Sequence, residues 1–312
     1  MKKCAVLAAF AVTLTALLVL PVVALSVNNG EQHAEPSLNS VVQEKNADQT
    51  ADLPVCFADS AAVLNPDEKE RIVDGMLNST QYFSTVQGSF PTSLVTGDIS
   101  APSTIVYMVD IPGENVYEQL LDDQNDMEVY FAQRQQAQYM NDRKQVIIRY
   151  GGAVAPADRM LRNDILQLRE TAQNVGVMPD GEMCYLYPED YSNTKFARMS
   201  ICAQELTFGL LSDRTLWDVE REDTLFGRDC LVLAGTVEEA YGAGLNIHSF
   251  DMWVDQQTGI LLGFHGYNAA GEKTQFLETG SFAVDAAEIS LRAAGKTREA
   301  DSKYADYEII NR

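Results

Sequence analysis

Enzyme chemistry in this chain would have to be built from three histidines, five cysteines or some pair among 45 acidic side chains. None of these groups forms a recognisable catalytic set. His33 stands in a polar stretch with no partner motif. His248 and His265 sit on the two arms of a hairpin whose turn is Asp255-Gln256-Gln257-Thr258. If Asp255 pairs with Thr258, His248 lies directly across from His265. Two imidazoles would still need a carboxylate to hold a metal, and strand alternation points Asp251 to the opposite face. The pair is therefore expected as a solvated cross-strand contact, with metal binding or pH sensing as the alternative. The sequence has no Gly-x-Ser-x-Gly elbow, no phosphate-binding Gly-x-x-x-x-Gly-Lys-Ser/Thr loop and no dinucleotide fingerprint. Carboxylates are abundant enough for a two-carboxylate glycosidase, but no spacing singles out a pair. The expectation is a protein that is not an enzyme, with no catalytic residues, no metal and no cofactor.

Cysteine usage and charge point to the compartment. Lys2 and Lys3 precede an uncharged apolar run from Cys4 to Val27, broken at Pro21, with small-residue cleavage sites around Ala24 and Ser26. Residues 1–26 read as a secretory signal peptide or, uncleaved, as a membrane anchor. In both cases the rest of the chain is exported. Four cysteines then remain, Cys56, Cys184, Cys202 and Cys230, an even number that suggests two disulfides in an oxidising compartment. Cys202 on a helix and Cys230 on a nearby strand are the favoured pair, which leaves Cys56 with Cys184. No Cys-x-x-Cys and no neighbouring histidine supports zinc. The formal charge of −22 repels nucleic acid and anionic headgroups. It is read first as a solubility device, with a cationic partner as the other reading.

The elements that would position any site follow in order. Residues 27–55 are polar and nearly free of aromatics, a flexible linker. The folded domain is expected over 56–295. Asn65-Pro66-Asp67-Glu68 is a helix start, with Asn as N-cap and Pro at the first helical position. Ile72, Val73, Met76 and Leu77 give that helix an apolar stripe. Alternating strands follow: Tyr82, Val86 and Phe90 on one face, then Ile105, Tyr107, Val109 and Ile111. Asn115–Leu121 is helix or strand, and further strands are expected at 128–132, 137–140 and 144–150. Two long helices are expected at 155–175 and 194–211, separated by a loop carrying Tyr185, Tyr187 and Tyr191. The second helix carries Phe196, Met199, Cys202, Leu206 and Leu210 on one face. Four strands then form a meander, at 226–233, 247–254, 260–264 and 272–277. Trp217 and Trp253 read as core anchors. Residues 284–291 add a strand or short helix, and 296–312 form a polar tail. The order gives an α+β fold with helices on one face of a large, strongly curved antiparallel sheet.

The meander also carries a resemblance. Phe226-Gly227-Arg228-Asp229-Cys230-Leu231-Val232-Leu233, then Met252-Trp253-Val254-Asp255-Gln256-Gln257-Thr258-Gly259-Ile260-Leu261-Leu262, then Gly271-Glu272-Lys273-Thr274-Gln275-Phe276, resembles the LolA/RseB-like superfamily. The resemblance implies an open antiparallel half-barrel, apolar inside and covered by helices. It implies a binding role without catalysis, either carrying lipoprotein acyl chains or sensing lipoproteins and regulating a membrane-protein partner.

Two readings follow. In the first, an acyl chain, a lipoprotein or another apolar ligand sits between sheet and helices. Its wall is Tyr82, Val86, Phe90, Ile105, Tyr107, Val109 and Ile111. In the second, the protein is a membrane-tethered regulatory module whose groove is filled by its own helices. Sequence alternation cannot separate an open wall from a packed one.

Overall fold

The computed structural model describes residues 66–95, 99, 101–122, 126–157, 161, 164–167, 175–177, 183–185 and 188–312. These fall in one compact unit. The expected leader, the linker, Cys56 and the side chains of Cys184, Tyr185 and Tyr187 lie outside the described set. No helix among the described residues is long and apolar enough to cross a membrane.

Helix α1 (Pro66–Leu77) begins at its proline, as the first-position preference of Pro dictates. Its stripe is fully used: Ile72, Val73, Met76 and Leu77 are each buried. Strands β1 (Thr85–Thr92), β2 (Ser103–Asp110) and β3 (Asn115–Leu121) follow, then β4 (Asp126–Ala132), β5 (Gln135–Met140) and β6 (Gln145–Tyr150). All five consecutive pairs are antiparallel. Asn115–Leu121 is thus a strand. The β4–β5 turn uses Gln133 and Arg134, both at positive φ (51° and 63°). Neither residue is a usual turn former.

The helix expected over 155–175 does not form at the described positions. Residues 151–156 are irregular, Ile165–Gln167 make one 3₁₀ turn, and β7 (Val175–Val177) pairs with β8 (Met183–Tyr185). The reason is visible at Ile165. Its N–H donates to the carbonyl of Gln256 (3.0 Å) rather than within a helix. The Asp164 carboxylate takes the N–H of Leu166 (2.7 Å). Tertiary partners outcompete helical propensity here. The second expected helix is split into α2 (Arg198–Ile201) and α3 (Gln204–Leu211).

The meander has five strands, not four: β9 (Trp217–Leu225), β10 (Arg228–Thr236), β11 (Ser249–Asp255), β12 (Leu261–Tyr267) and β13 (Lys273–Glu278). Phe226-Gly227, expected inside a strand, is the β9–β10 turn, with φ of 55° and 74°. A short helix α4 (Glu239–Leu245) interrupts the β10–β11 link. Strand β14 (Ser281–Val284) then pairs with β1. The expected polar tail is structured. Helix α5 (Ala287–Lys303) runs through it, and β15 (Glu308–Asn311) adds to β6 as the one parallel pair among the described residues.

The strands form an open 13-stranded sheet running from β15 at one edge to β9 at the other. Its main core lies on the face that receives α1, α2 and α3. Helix α5 packs instead on residues of opposite parity, including Tyr117 and Tyr130, and builds a second core there. Helices therefore cover both faces, where the sequence suggested one.

Candidate functional site

The seven expected wall residues are brought together. Val86 pairs with Val109, Gly88 with Tyr107 and Phe90 with Ile105, so the large side chains of β1 and β2 share one face. Tyr82 and Ile111 flank the two strands. Gly88 is the small position that lets the Tyr107 ring lie across β1: a Cβ there would fall 2.6 Å from the Tyr107 hydroxyl. Every one of the seven is 5% exposed or less and belongs to the main core. The wall exists, but it is buried in the core that it shares with α1 and the α2–α3 segment.

The open space lies at the margin of that packing. A cleft of about 280 Å³ runs beside α2 and α3, with α4 on its far side. Its apolar lining includes Leu94, Phe196, Met199 and Leu206. Lys195 and Arg198 bring two cations to the same cleft, and Glu205 one anion. Val95, 57% exposed, stands in the lining. Tyr241 of α4 reaches it because Gly209 of α3 leaves room; a Cβ there would sit 2.0 Å from the tyrosine ring. The expected stripe of Phe196, Met199, Cys202 and Leu206 supplies much of this lining. Lys195, Arg198, Tyr241 and Leu245 carried no signal in the sequence, because α4 and the break between α2 and α3 are set by tertiary contacts.

One carboxylate fixes the segment that carries the cleft. Glu118, on the core face of β3, is completely buried. It accepts three consecutive backbone N–H groups, from Lys195 (2.6 Å), Phe196 (2.9 Å) and Ala197 (2.6 Å). Burial pushes its carboxyl up to about 7, and the three N–H donors work in the opposite direction. Nearby, Gln204 donates to the carbonyls of Leu77 and Pro188. Asn193, at φ 53°, clasps the backbone of Ala153 through both its amide atoms. The α2–α3 segment is thus tied to β3, α1 and the strand-exit loop by polar contacts at its start and apolar ones along its length.

Two expectations are corrected here. Cys202 and Cys230 are both free, buried thiols. Cys202 faces Ser79 and Asp190, while Cys230 donates to its own strand at the Arg228 carbonyl (3.5 Å). The two point into different surroundings, so the favoured bridge does not form. Burial raises the Cys202 thiol well above its usual range and Cys230 to about 11, which keeps both protonated and poorly nucleophilic.

The histidine pair does not form either. The hairpin closes wider than expected, with Asp255 bonded to Ile260, and the register shifts again between Trp253 and Val254, so His265 lies across from Asp251 and not His248. His248 is exposed, and its N–H bonds the Tyr267 carbonyl. Asp251 therefore shares the face of His265, contrary to expectation. Tyr267 donates to Asp251 (2.9 Å), and His265 Nε2 lies 2.9 Å from Glu278. Burial, then Lys273, lowers the His265 pKa below its usual value. No grouping among the described residues could hold a metal ion. Trp217 is a core anchor, 2% exposed. Trp253 is buried on the other face of the sheet, bonded through Nε1 to Asp223 (3.0 Å) and edge-on to His265.

No family model and no curated protein matches the sequence. Solved structures with a similar fold include an uncharacterized conserved protein from Thermus thermophilus (9% identity, 78% of this chain and 98% of that one, TM-score 0.33). Another is the Pseudomonas aeruginosa MucA/MucB complex (17% identity, 70% of this chain and 58% of that one, TM-score 0.35). A third is the Mycobacterium tuberculosis lipoprotein LppX (8% identity, 72% of this chain and all of that one, TM-score 0.35). Values this low carry no residue role and no ligand from those proteins to this one.

Proposed function

We propose that this chain is an exported, non-enzymatic binding protein that takes an acyl chain or similar apolar ligand at the cleft beside α2 and α3. The supporting observation is the cleft itself: about 280 Å³ with an apolar lining and two cations, opening next to a continuous apolar wall. That volume sits at the small end of ligand sites, which suits one chain and not a multi-acylated anchor. Burying about eight methylenes would contribute ~6 kcal/mol. Lys195 and Arg198 would complement an acidic head at the mouth.

A second reading rests on a different observation. All seven wall residues are buried in the core that they share with the protein's own helices, which favours a membrane-tethered regulatory module of the kind that binds a membrane-protein partner. Native mass spectrometry of protein from its own host, followed by solvent extraction, separates the two. A co-purifying acyl species lost in Met199→Lys, a change at a partly exposed lining position, supports the cleft. Bare chain mass with no uptake of a fluorescent fatty acid counts against it and favours the module.

A further inference from the structure

A second cleft, about 270 Å³, lies on the opposite face of the sheet between α5 and strands β4 to β6. Four tyrosines line it: Tyr130, Tyr139, Tyr304 and Tyr307. Their rings form one aromatic wall. Tyr139 stacks on Tyr304 at 4.1 Å, Tyr307 meets Tyr304 edge-on at 4.8 Å, and Tyr130 meets Tyr139 edge-on at 5.4 Å. Ile148 adds to the apolar part of the lining. The carboxylate of Asp301 joins them; it is exposed and makes no ion pair among the described residues.

Three of the four hydroxyl hydrogens of this wall are already committed. Tyr130 and Tyr304 donate to Glu128, and Tyr307 donates to Asn141 (3.0 Å). What the cleft presents to a ligand is ring surface, the Asp301 carboxylate, the Tyr139 hydroxyl and the side chains of Gln135 and Thr297. Ring faces carry negative quadrupole charge and attract a cation, most strongly where water is excluded. The same cluster already holds one ammonium in this way. Lys303 Nζ lies 4.8 Å from the centre of the Tyr304 ring and 2.7 Å from Glu128. Lys303 is not part of the cleft lining, so its charge does not fill the second place.

We propose that the cleft between α5 and strands β4 to β6 binds a quaternary ammonium group, held on the tyrosine wall with Asp301 as its counter-charge. A primary ammonium needs hydrogen-bond acceptors on every N–H, which the faces of the rings do not offer. A methylated ammonium needs none. The volume fits a headgroup and excludes a large ligand. The net charge of −22 favours accumulation of cations around the protein. This site is separate from the apolar cleft on the other face, and neither reading depends on the other.

The test is titration of the full chain with choline, followed by tyrosine ring signals in NMR, against the neutral isostere 3,3-dimethylbutan-1-ol. Saturable choline binding, at least tenfold tighter than the neutral analogue, is expected. Asp301→Asn, at an exposed position, should weaken choline at least fivefold while leaving the isostere unchanged. Tyr307→Leu should weaken choline to a similar degree, and circular dichroism would check that both variants fold. Flotation with phosphatidylcholine vesicles would assign the group to a lipid head; choline binding without flotation would assign it to a free solute. Equal binding of the isostere, no saturable choline binding, or choline affinity unchanged in both variants would overturn the proposal.

Discussion

At the scale of the single residue, Glu118 is the position where chemistry and architecture meet. A buried carboxylate that accepts three backbone N–H groups holds the start of the segment lining the apolar cleft. Its folded-state pKa is raised to about 7 from an ordinary 4.5, burial being the main cause. A raised value means that the folded state holds this proton more tightly than the unfolded chain does. The stability contribution is therefore complete below about pH 4.5, and is lost as pH rises through about 7. A Glu118→Gln variant should lack this dependence. Urea denaturation at pH 5 and pH 8 should show the wild type losing roughly 2–3 kcal/mol relative to the variant on going to the higher pH. Parallel pH dependence in the two proteins would show that the carboxyl does not titrate there. None of this was legible beforehand, because Glu118 sat in a segment of ambiguous period and nothing marks a glutamate as the acceptor for a loop 77 residues away.

At the scale of the element, the motif behind the family resemblance is structural. Arg228 forms a bidentate pair with Asp255, which is fully buried, and Asp255 also takes the N–H of Gln257 (2.8 Å). The pair joins the start of β10 to the end of β11. Gly259, at φ 71°, brings the turn against α1: a Cβ there would sit 2.5 Å from the Gly75 carbonyl. Gly75 in turn faces Ile165, so turn, helix and 3₁₀ segment close on one another. Gly259→Ala combines left-handed strain with a clash against backbone, and should cost about 2–4 kcal/mol. Gly271→Ala, at φ 78° but with no neighbour within 4 Å, should cost only about 1 kcal/mol. Thermal or urea unfolding of the two variants compares them directly, and equal losses would remove the helix contact from the explanation.

At the scale of the molecule, the sheet is left open, so its edges must be managed. Strand β15 covers β6 along four residues, backed by the Gln145–Glu308 hydrogen bond (2.8 Å) and the Lys144–Asp306 ion pair. At the far edge, β9 carries Glu220, Arg221 and Glu222 in exposed positions, the charged protection that edge strands commonly show. Deleting residues 305–312 should uncover β6 and promote self-association at micromolar concentration, read by size-exclusion chromatography with light scattering. An unchanged elution and mass would mean that β15 is dispensable as an edge guard. Helix α5 gives the sheet its second apolar layer, and with it a second cleft.

The sequence by itself determined the elements whose local signals agree with their surroundings. Helix α1 has its proline start and four-residue stripe, and β1 and β2 have clean alternation. The hairpin of β11 and β12 has its turn glycine, and the wall of seven residues assembles as the alternation required. Period and turn chemistry are local, so a one-dimensional reading captures them. Tertiary structure alone decided the rest. A wider turn, with Asp255 bonded to Ile260, and a one-residue bulge at Trp253/Val254 together placed His265 opposite Asp251. The hydrogen bond from Ile165 to Gln256 replaced a helix that propensity favoured. Two left-handed residues made the Gln133–Arg134 turn without glycine or asparagine, and a charged tail became α5 and β15. Whether the apolar wall was open or packed was likewise invisible in sequence, because alternation records which face a side chain takes and not what is laid on that face.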